Sequence, residues 1–246
     1  IFIMIHLLWY LTIHTPENLF YGGLLFYYFY NVVTAPREYE KTYMPSYYKK
    51  ICDVMKAIKL YLYAYEARIN PNDTVLLVLD MIEDYKTLFD SRMIENVKYN
   101  IQLAKRYNVP VVYTKWERTE KDMVGDVVDS KMFWSYYIPK KSCMIRELSD
   151  GIRSGDYIIK TKFPNAFAES LNNVNLEEIM KGKKNLVICG TWTESCVSHT
   201  ADAASEKNIR PYILKNACCG HWPISSIYIM ILGMTHSEIV RSISFM

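Results

Sequence analysis

Between residues 74 and 214, short apolar runs alternate with amphipathic stretches. Residues 75–79 (VLLVL) are continuously apolar, the pattern of a strand buried on both faces. Residues 91–108 place apolar side chains at helical spacing, and an apolar strand follows over 109–113. Further along, the pattern predicts a strand over 156–162 (DYIIKTK), a helix over 176–181 and a strand over 186–189 that ends at Gly190. A helix over 195–207 and a short strand over 212–214 complete the series. Strands alternating with helices predict an α/β fold of three layers, a Rossmann-like parallel sheet with helices on both faces. Ligands of such sheets bind beyond the carboxyl ends of the strands. Attention therefore falls on Asp80, directly after the first apolar run, and on Cys196, in the segment that follows Gly190.

The first 70 residues differ in character. They are crowded with tyrosine and lack the strand–helix rhythm, although residues 47–68 (YYKKICDVMKAIKLYLYAYEAR) have apolar positions at roughly helical spacing with lysines between. Residues 1–70 are read as an aromatic-rich, mainly helical extension and residues 71–246 as the α/β domain, with Asn70-Pro71-Asn72-Asp73 as the turn between them. The opening IFIMIHLLWYLTI falls short of the ~20 apolar residues of a membrane-spanning helix and is interrupted by His6. A span is disfavoured there, and contact with a membrane surface stays open. A start at Ile1 rather than methionine is read as a fragment or a processed end, and no secretory signal is evident.

Composition narrows the function classes. A net charge of +3 on 246 residues gives no electrostatic case for a nucleic-acid partner. Six irregularly spaced cysteines are too few for a disulfide scaffold and include no C-x-x-C pair. Free thiols in a reducing, cytoplasmic setting are the expectation. The five histidines show no zinc-ligand spacing, so neither a metal nor a cofactor is expected.

The candidate chemistry is that of a cysteine nucleophile. Asp80 ends a buried strand, where burial tunes a carboxylate toward base work. Cys196 lies in Gly190-Thr-Trp-Thr-Glu-Ser-Cys-Val, a glycine-led loop running into a helix. Amides and the positive helix end there favour a thiolate and can hold an oxyanion. A lysine beside the sulfur would add to this, and Lys160 and Lys162 both lie on the strand over 156–162. Taken singly, each residue has an ordinary structural explanation; their order along the chain makes them a set.

That set resembles the isochorismatase-like hydrolases. The carrying residues are Asp80-Met-Ile-Glu-Asp84-Tyr85, then Lys160 with Asn165-Ala-Phe167, then Gly190-x-x-Thr193-x-x-Cys196-Val197 and Thr200-Ala-x-Ala203. The resemblance implies an Asp80–Lys160–Cys196 triad on a Rossmann-like sheet, and an acyl-enzyme hydrolysed by water. It also implies a cis peptide at Thr191–Trp192 and an oxyanion hole from the amides of Trp192 and Cys196. The family's lysine often stands six residues before the phenylalanine of the middle motif, a position held here by Thr161. Lys160 is preferred, with Lys162 as the alternative. The stretch Thr114-Lys-Trp-Glu-Arg118 lacks the histidines of the metal-binding nicotinamidases, which disfavours that subgroup. Tyr85, Phe89, Trp116 and Phe167 are the candidate substrate wall, for which core packing is nearly as good an explanation. The expected activity is cleavage of a C–N (amide) bond in a small planar or carboxylated molecule by a homo-oligomeric enzyme. The alternative is a catalytically silent scaffold of the same fold; redox sensing through Cys196 lacks an evident resolving cysteine. The segment after Cys219 is short for the family and leaves the last strand of the sheet open.

Overall fold

The structure is a computed structural model that describes residues 64–119, 138–221, 225, 229, 232 and 237–246. Seven strands form one sheet: β1 (Tyr65–Ile69), β2 (Thr74–Leu79), β3 (Val111–Trp116), β4 (Tyr157–Thr161), β5 (Asn185–Thr191), β6 (Arg210–Cys219) and β7 (Glu238–Phe245). Their order is β1-β7-β6-β5-β2-β3-β4, and every pairing is parallel. The chain leaves β2 toward β3 and β4 on one side, then returns to lay β5 against the other side of β2. The strand order thus reverses between β2 and β5, and the carboxyl ends of these two strands are where parallel sheets bind their ligands.

Two apolar cores sandwich the sheet. On one face, Met93, Val97, Ile101 and Ala104 of α1 (Ser91–Arg106) pack on Leu76 and Val78 of β2 and Val187 and Cys189 of β5. Their spacing is the apolar stripe expected of a helix facing a sheet. Asp90 caps that helix by accepting from the Met93 amide at 2.7 Å, and Asn108, with φ of 56°, ends it in the left-handed region. On the other face, Leu77, Leu79 and Ile188 meet Ala201 and Ala204 of α4 (Ser198–Glu206) and Leu176 of α3 (Leu176–Ile179). Cys196 belongs to this second core. A one-turn helix, α2 (Arg146–Ser149), lies between β3 and β4 in sequence.

Three expectations change. Residues 65–68, read as the end of a helix, are part of β1. Ala67 and Ile69 are buried while Glu66 and Arg68 are exposed, the two-residue period of a strand paired with β7. The rest of that predicted helix lies outside the described residues, as does the remainder of the N-terminal extension. The segment after Cys219 does supply a last strand, β7, alternating buried Ile243 and Phe245 with more open neighbours. Finally, the helix predicted over 195–207 begins as a π-helical turn, Thr193–Val197, before the regular α4. Among the described residues, no helix is long and apolar enough to cross a membrane.

Candidate active site

Two chain segments meet at the switch point. The first begins where β2 ends. Asp80 adopts φ of 46°, a left-handed conformation that aspartate tolerates, and its side chain is fully buried. The Thr114 hydroxyl of β3 accepts from the Asp80 amide at 3.0 Å and donates to Asp80 Oδ1 at 2.7 Å. This two-way clamp fixes the carboxyl and leaves Oδ2 buried with no hydrogen-bond partner among the described residues. The next turn is anchored by Asp84, whose carboxylate accepts from the Lys140 and Lys141 amides at 2.5 and 3.0 Å.

The second segment leaves β5 at Gly190, whose φ is 113°. A Cβ there would stand 2.1 Å from the Leu79 carbonyl oxygen and 2.6 Å from the Leu79 nitrogen. Only glycine lets β5 approach β2 this closely, so the close approach is what brings the following loop alongside Asp80. The Thr191–Trp192 peptide is cis. Hydroxyls of Thr191 and Thr193 both donate to the Cys219 carbonyl, at 3.1 and 3.0 Å, tying the loop to β6. The Trp192 carbonyl accepts from the Ser195 and Val197 amides, which closes the π-helical turn around Cys196. Cys196 itself is buried.

The electrostatics of the two groups are mutual. Burial pushes the Asp80 carboxyl up to about 6, while the Thr114 hydrogen bond and the nearby Cys196 thiol and Trp116 amide pull against it. Burial, and then the Asp80 charge, push the Cys196 thiol well above its ordinary value, opposed by the Trp192 amide and Ser195. The helix-end activation of a standing thiolate expected from the sequence is therefore outweighed by burial. Above pH about 6 the pair rests as carboxylate beside neutral thiol.

The other predicted residues divide. Tyr85 meets the Trp192 ring edge-on at 5.4 Å between centroids, and both adjoin the Cys196 core, as do Phe89 and Phe167. The Thr200 hydroxyl of α4 binds the Ala166 amide at 3.0 Å, which holds the Phe167 loop against the helix that follows the cysteine. Trp116 is buried in the core, with the Arg118 guanidinium 5.5 Å above its ring. Lys160 does not join Asp80 and Cys196. It pairs in register with Lys115, and both ammonium groups contact the Glu117 carboxylate, at 3.2 Å for Lys160 and 3.0 Å for Lys115. Its neighbours Ile159 and Thr161 are the residues of β4 turned inward, Ile159 into the core that contains Cys196, so strand alternation sends Lys160 to the opposite face. Lys162 lies past the strand with its ammonium 5.5 Å from the Phe163 ring.

Two elements of the site were not singled out in the sequence. Thr114 is one threonine within an apolar strand and acquires meaning only from the β2–β3 register. The other is a carboxylate–imidazole pair: buried Glu194 accepts from the His221 amide at 2.8 Å and faces His221 Nδ1 at 2.9 Å. Nothing in the 27-residue separation of these two signals their meeting. Among the described residues, no group of three or more His, Cys, Asp or Glu gathers as a metal site.

Known proteins share this architecture. A cysteine hydrolase from Pseudomonas syringae pv. phaseolicola 1448A superposes with a TM-score of 0.58 at 17% identity, over 72% of this chain and 92% of that one. N-carbamoylsarcosine amidase from Thermoplasma acidophilum gives 0.56 at 21% identity, over 69% and 96%. The MAR1 ribonuclease from Caenorhabditis elegans gives 0.56 at 16% identity, over 72% and 80%. At such identities the likeness speaks for the fold alone, and three differently described activities on it show that chemistry must be argued from the site. No curated protein matches the chain. The Isochorismatase domain family model matches residues 74–223, more than half of the chain, including Asp80 and Cys196; the chain belongs to the isochorismatase family.

Proposed function

We propose that this protein is a cysteine hydrolase that cleaves a C–N (amide) bond of a small planar or carboxylated compound through an acyl-enzyme on Cys196. The observation that supports the reading is that the buried Asp80 carboxyl and Cys196 thiol lie near enough at the switch point of the sheet to shift each other's protonation. In this reading Asp80 takes the thiol proton as sulfur attacks the substrate carbonyl. The amides of Trp192 and Cys196 receive the oxyanion, and the same proton then passes to the departing amine. Water attacks the thioester, Asp80 takes its proton, and the sulfur leaves as a thiol once reprotonated. The supporting cation is assigned to Lys162. Beyond Thr161 the chain turns, with the Phe163 amide donating to Thr161 Oγ1 at 3.1 Å, so strand alternation no longer directs that side chain. Tyr85, Trp192, Phe89 and Phe167 wall the substrate.

Alkylation of Cys196 by iodoacetamide, mapped by mass spectrometry against exposed Cys143, tests the base–thiol pair. The Cys196 rate is expected to rise through pH about 6, as Asp80 ionises, and then to level. Cys143 should instead keep rising toward about 8.5, the value of an ordinary thiol. Alkylated protein should lose turnover of small carboxylated amides. A Cys196 rate that simply parallels Cys143 would remove the base from the scheme. Lysine assignment is read with the same reagent. Lys160→Met should leave the Cys196 rate within about twofold, because a charge paired with Glu117 on the far face is largely screened. Lys162→Met should slow it by about tenfold. The reverse order would return the role to Lys160.

A further inference from the structure

Val112 and Trp116 of β3 belong to the core that contains Cys196, and strand alternation puts Thr114 between them on the same face. Thr114 is fully buried, so its hydroxyl needs its partners inside the protein. It finds both of them on one residue. Val78 and Tyr113 are the last residues of β2 and β3 in register, and Thr114 stands one position further on, where β2 gives way to Asp80. The hydroxyl accepts from the Asp80 amide at 3.0 Å and donates to Oδ1 at 2.7 Å. Each of these bonds constrains the other. An oxygen that faces an N–H presents a lone pair to it, so its single proton is left for Oδ1. A proton placed on Oδ1 would strand that of the hydroxyl, which has no other acceptor among the described residues. Oδ2 carries no such constraint, because it is buried with no hydrogen-bond partner among the described residues.

We propose that Thr114 is a positioning residue of the hydrolase: it keeps Oδ1 of Asp80 as an acceptor and so makes Oδ2 the atom that carries the proton. The inference rests on the cysteine-hydrolase reading and assigns the proton's path within it. As the S–H bond breaks, its electron pair forms the bond from sulfur to the substrate carbonyl carbon, and its proton goes to Oδ2. The O–H bond at Oδ2 then breaks to protonate the departing nitrogen, and the carboxylate ends as it began. The donor on Oδ1 also favours the charged carboxyl against its burial, which keeps the base available near neutral pH. Cys196, on the loop after β5, is the titratable group that bears on this carboxyl, and the Trp116 amide of β3 is uncharged. Lys115 of β3 and Lys160 of β4 are turned to the opposite face, where both contact Glu117.

The pH profile of Cys196 alkylation by iodoacetamide in the full chain reads this role, with buried Cys189 as the control for opening of the fold. Thr114→Val keeps the shape of the side chain and removes the hydroxyl. Its Cys196 midpoint is expected about one pH unit above that of the wild type. Labelling at pH about 6 should then be about fivefold slower, with the difference closing in alkaline solution. Thr114→Ser supplies a hydroxyl again and should bring the midpoint back. Thr114→Ala carries the same upward shift as valine and decides the matter if the valine variant exposes Cys189. A midpoint unmoved by loss of the hydroxyl, or a rate lowered equally at every pH, would make Thr114 a packing residue and overturn the proposal. So would a serine variant displaced as far as valine. A wild-type Cys196 rate that parallels exposed Cys143, with no step near pH 6, would overturn the hydrolase reading and this inference together. A wild-type step that the variants share unchanged overturns this inference alone.

Discussion

Asp80→Asn is expected to yield a protein that is more stable and nearly inactive. The native carboxyl titrates at about 6, against an ordinary value of 3.8, because burial disfavours its charge. Between those two values the folded state binds more protons than the unfolded one, so stability falls as pH rises through that window and stays reduced above it. A displacement of about two pH units corresponds to roughly 3 kcal/mol, carried by the wild type at pH 7 and absent at pH 4. Asparagine removes the charge, keeps an acceptor for the Thr114 hydroxyl and tolerates the left-handed backbone at this position. Denaturant unfolding should therefore show the variant about 2–3 kcal/mol more stable than wild type at pH 7, with the gain vanishing near pH 4. Over the same pH range hydrolysis should fall by about 10²–10⁴-fold, the usual contribution of a positioned base. A variant equally stable at both pH values would show that the charge is solvated. Retention of full turnover would show that it is not the base.

The trade just described explains why the site was partly legible in the sequence. Asp80 stands at the end of an uninterrupted apolar run, and Cys196 follows a glycine-led turn. Hydrophobic periodicity places both at strand ends, where parallel sheets bind their ligands. The order of elements from β2 to β6 follows from the same signal, because strands buried on both faces carry no polar interruptions. What periodicity does not carry is orientation over one or two residues. Lys160 and Thr161 are adjacent, and which of them faces the Cys196 core depends on the register of β4 against β3. The same limit applies to Thr114, whose role arises from pairing alone, and to Glu194 and His221, which meet only through the fold. β1 was obscured for a different reason. Its five residues continue a stretch of helical spacing, and a period of two over so short a run is recognisable only once β7 lies beside it.

Gly190→Ala is expected to cost about 4 kcal/mol or more, combining a clash that no rotamer can relieve with a disfavoured backbone. The added methyl carbon would lie 2.1 Å from a carbonyl oxygen and 2.6 Å from a nitrogen of Leu79, both of them main-chain atoms of the neighbouring strand. Relief would require β5 and β2 to separate at the point where Leu79 pairs with Gly190. At φ of 113°, alanine is also strained whatever the space around it. Gly182→Ala supplies the comparison: φ there is 74° with nothing within 4 Å of the new carbon, so only backbone strain remains, about 1–2 kcal/mol. Unfolding measurements on the two variants separate the clash from the strain. Residues 79 and 80 are consecutive, so any separation that admits the methyl also moves the Asp80 carboxyl away from the Cys196 sulfur. Folded Gly190→Ala protein should accordingly label at Cys196 with the pH profile of an unassisted buried thiol, rising only in alkaline solution. Equal costs for the two glycine variants would mean that the approach of β5 to Leu79 is looser than the geometry requires, and that the base–thiol contact does not depend on it.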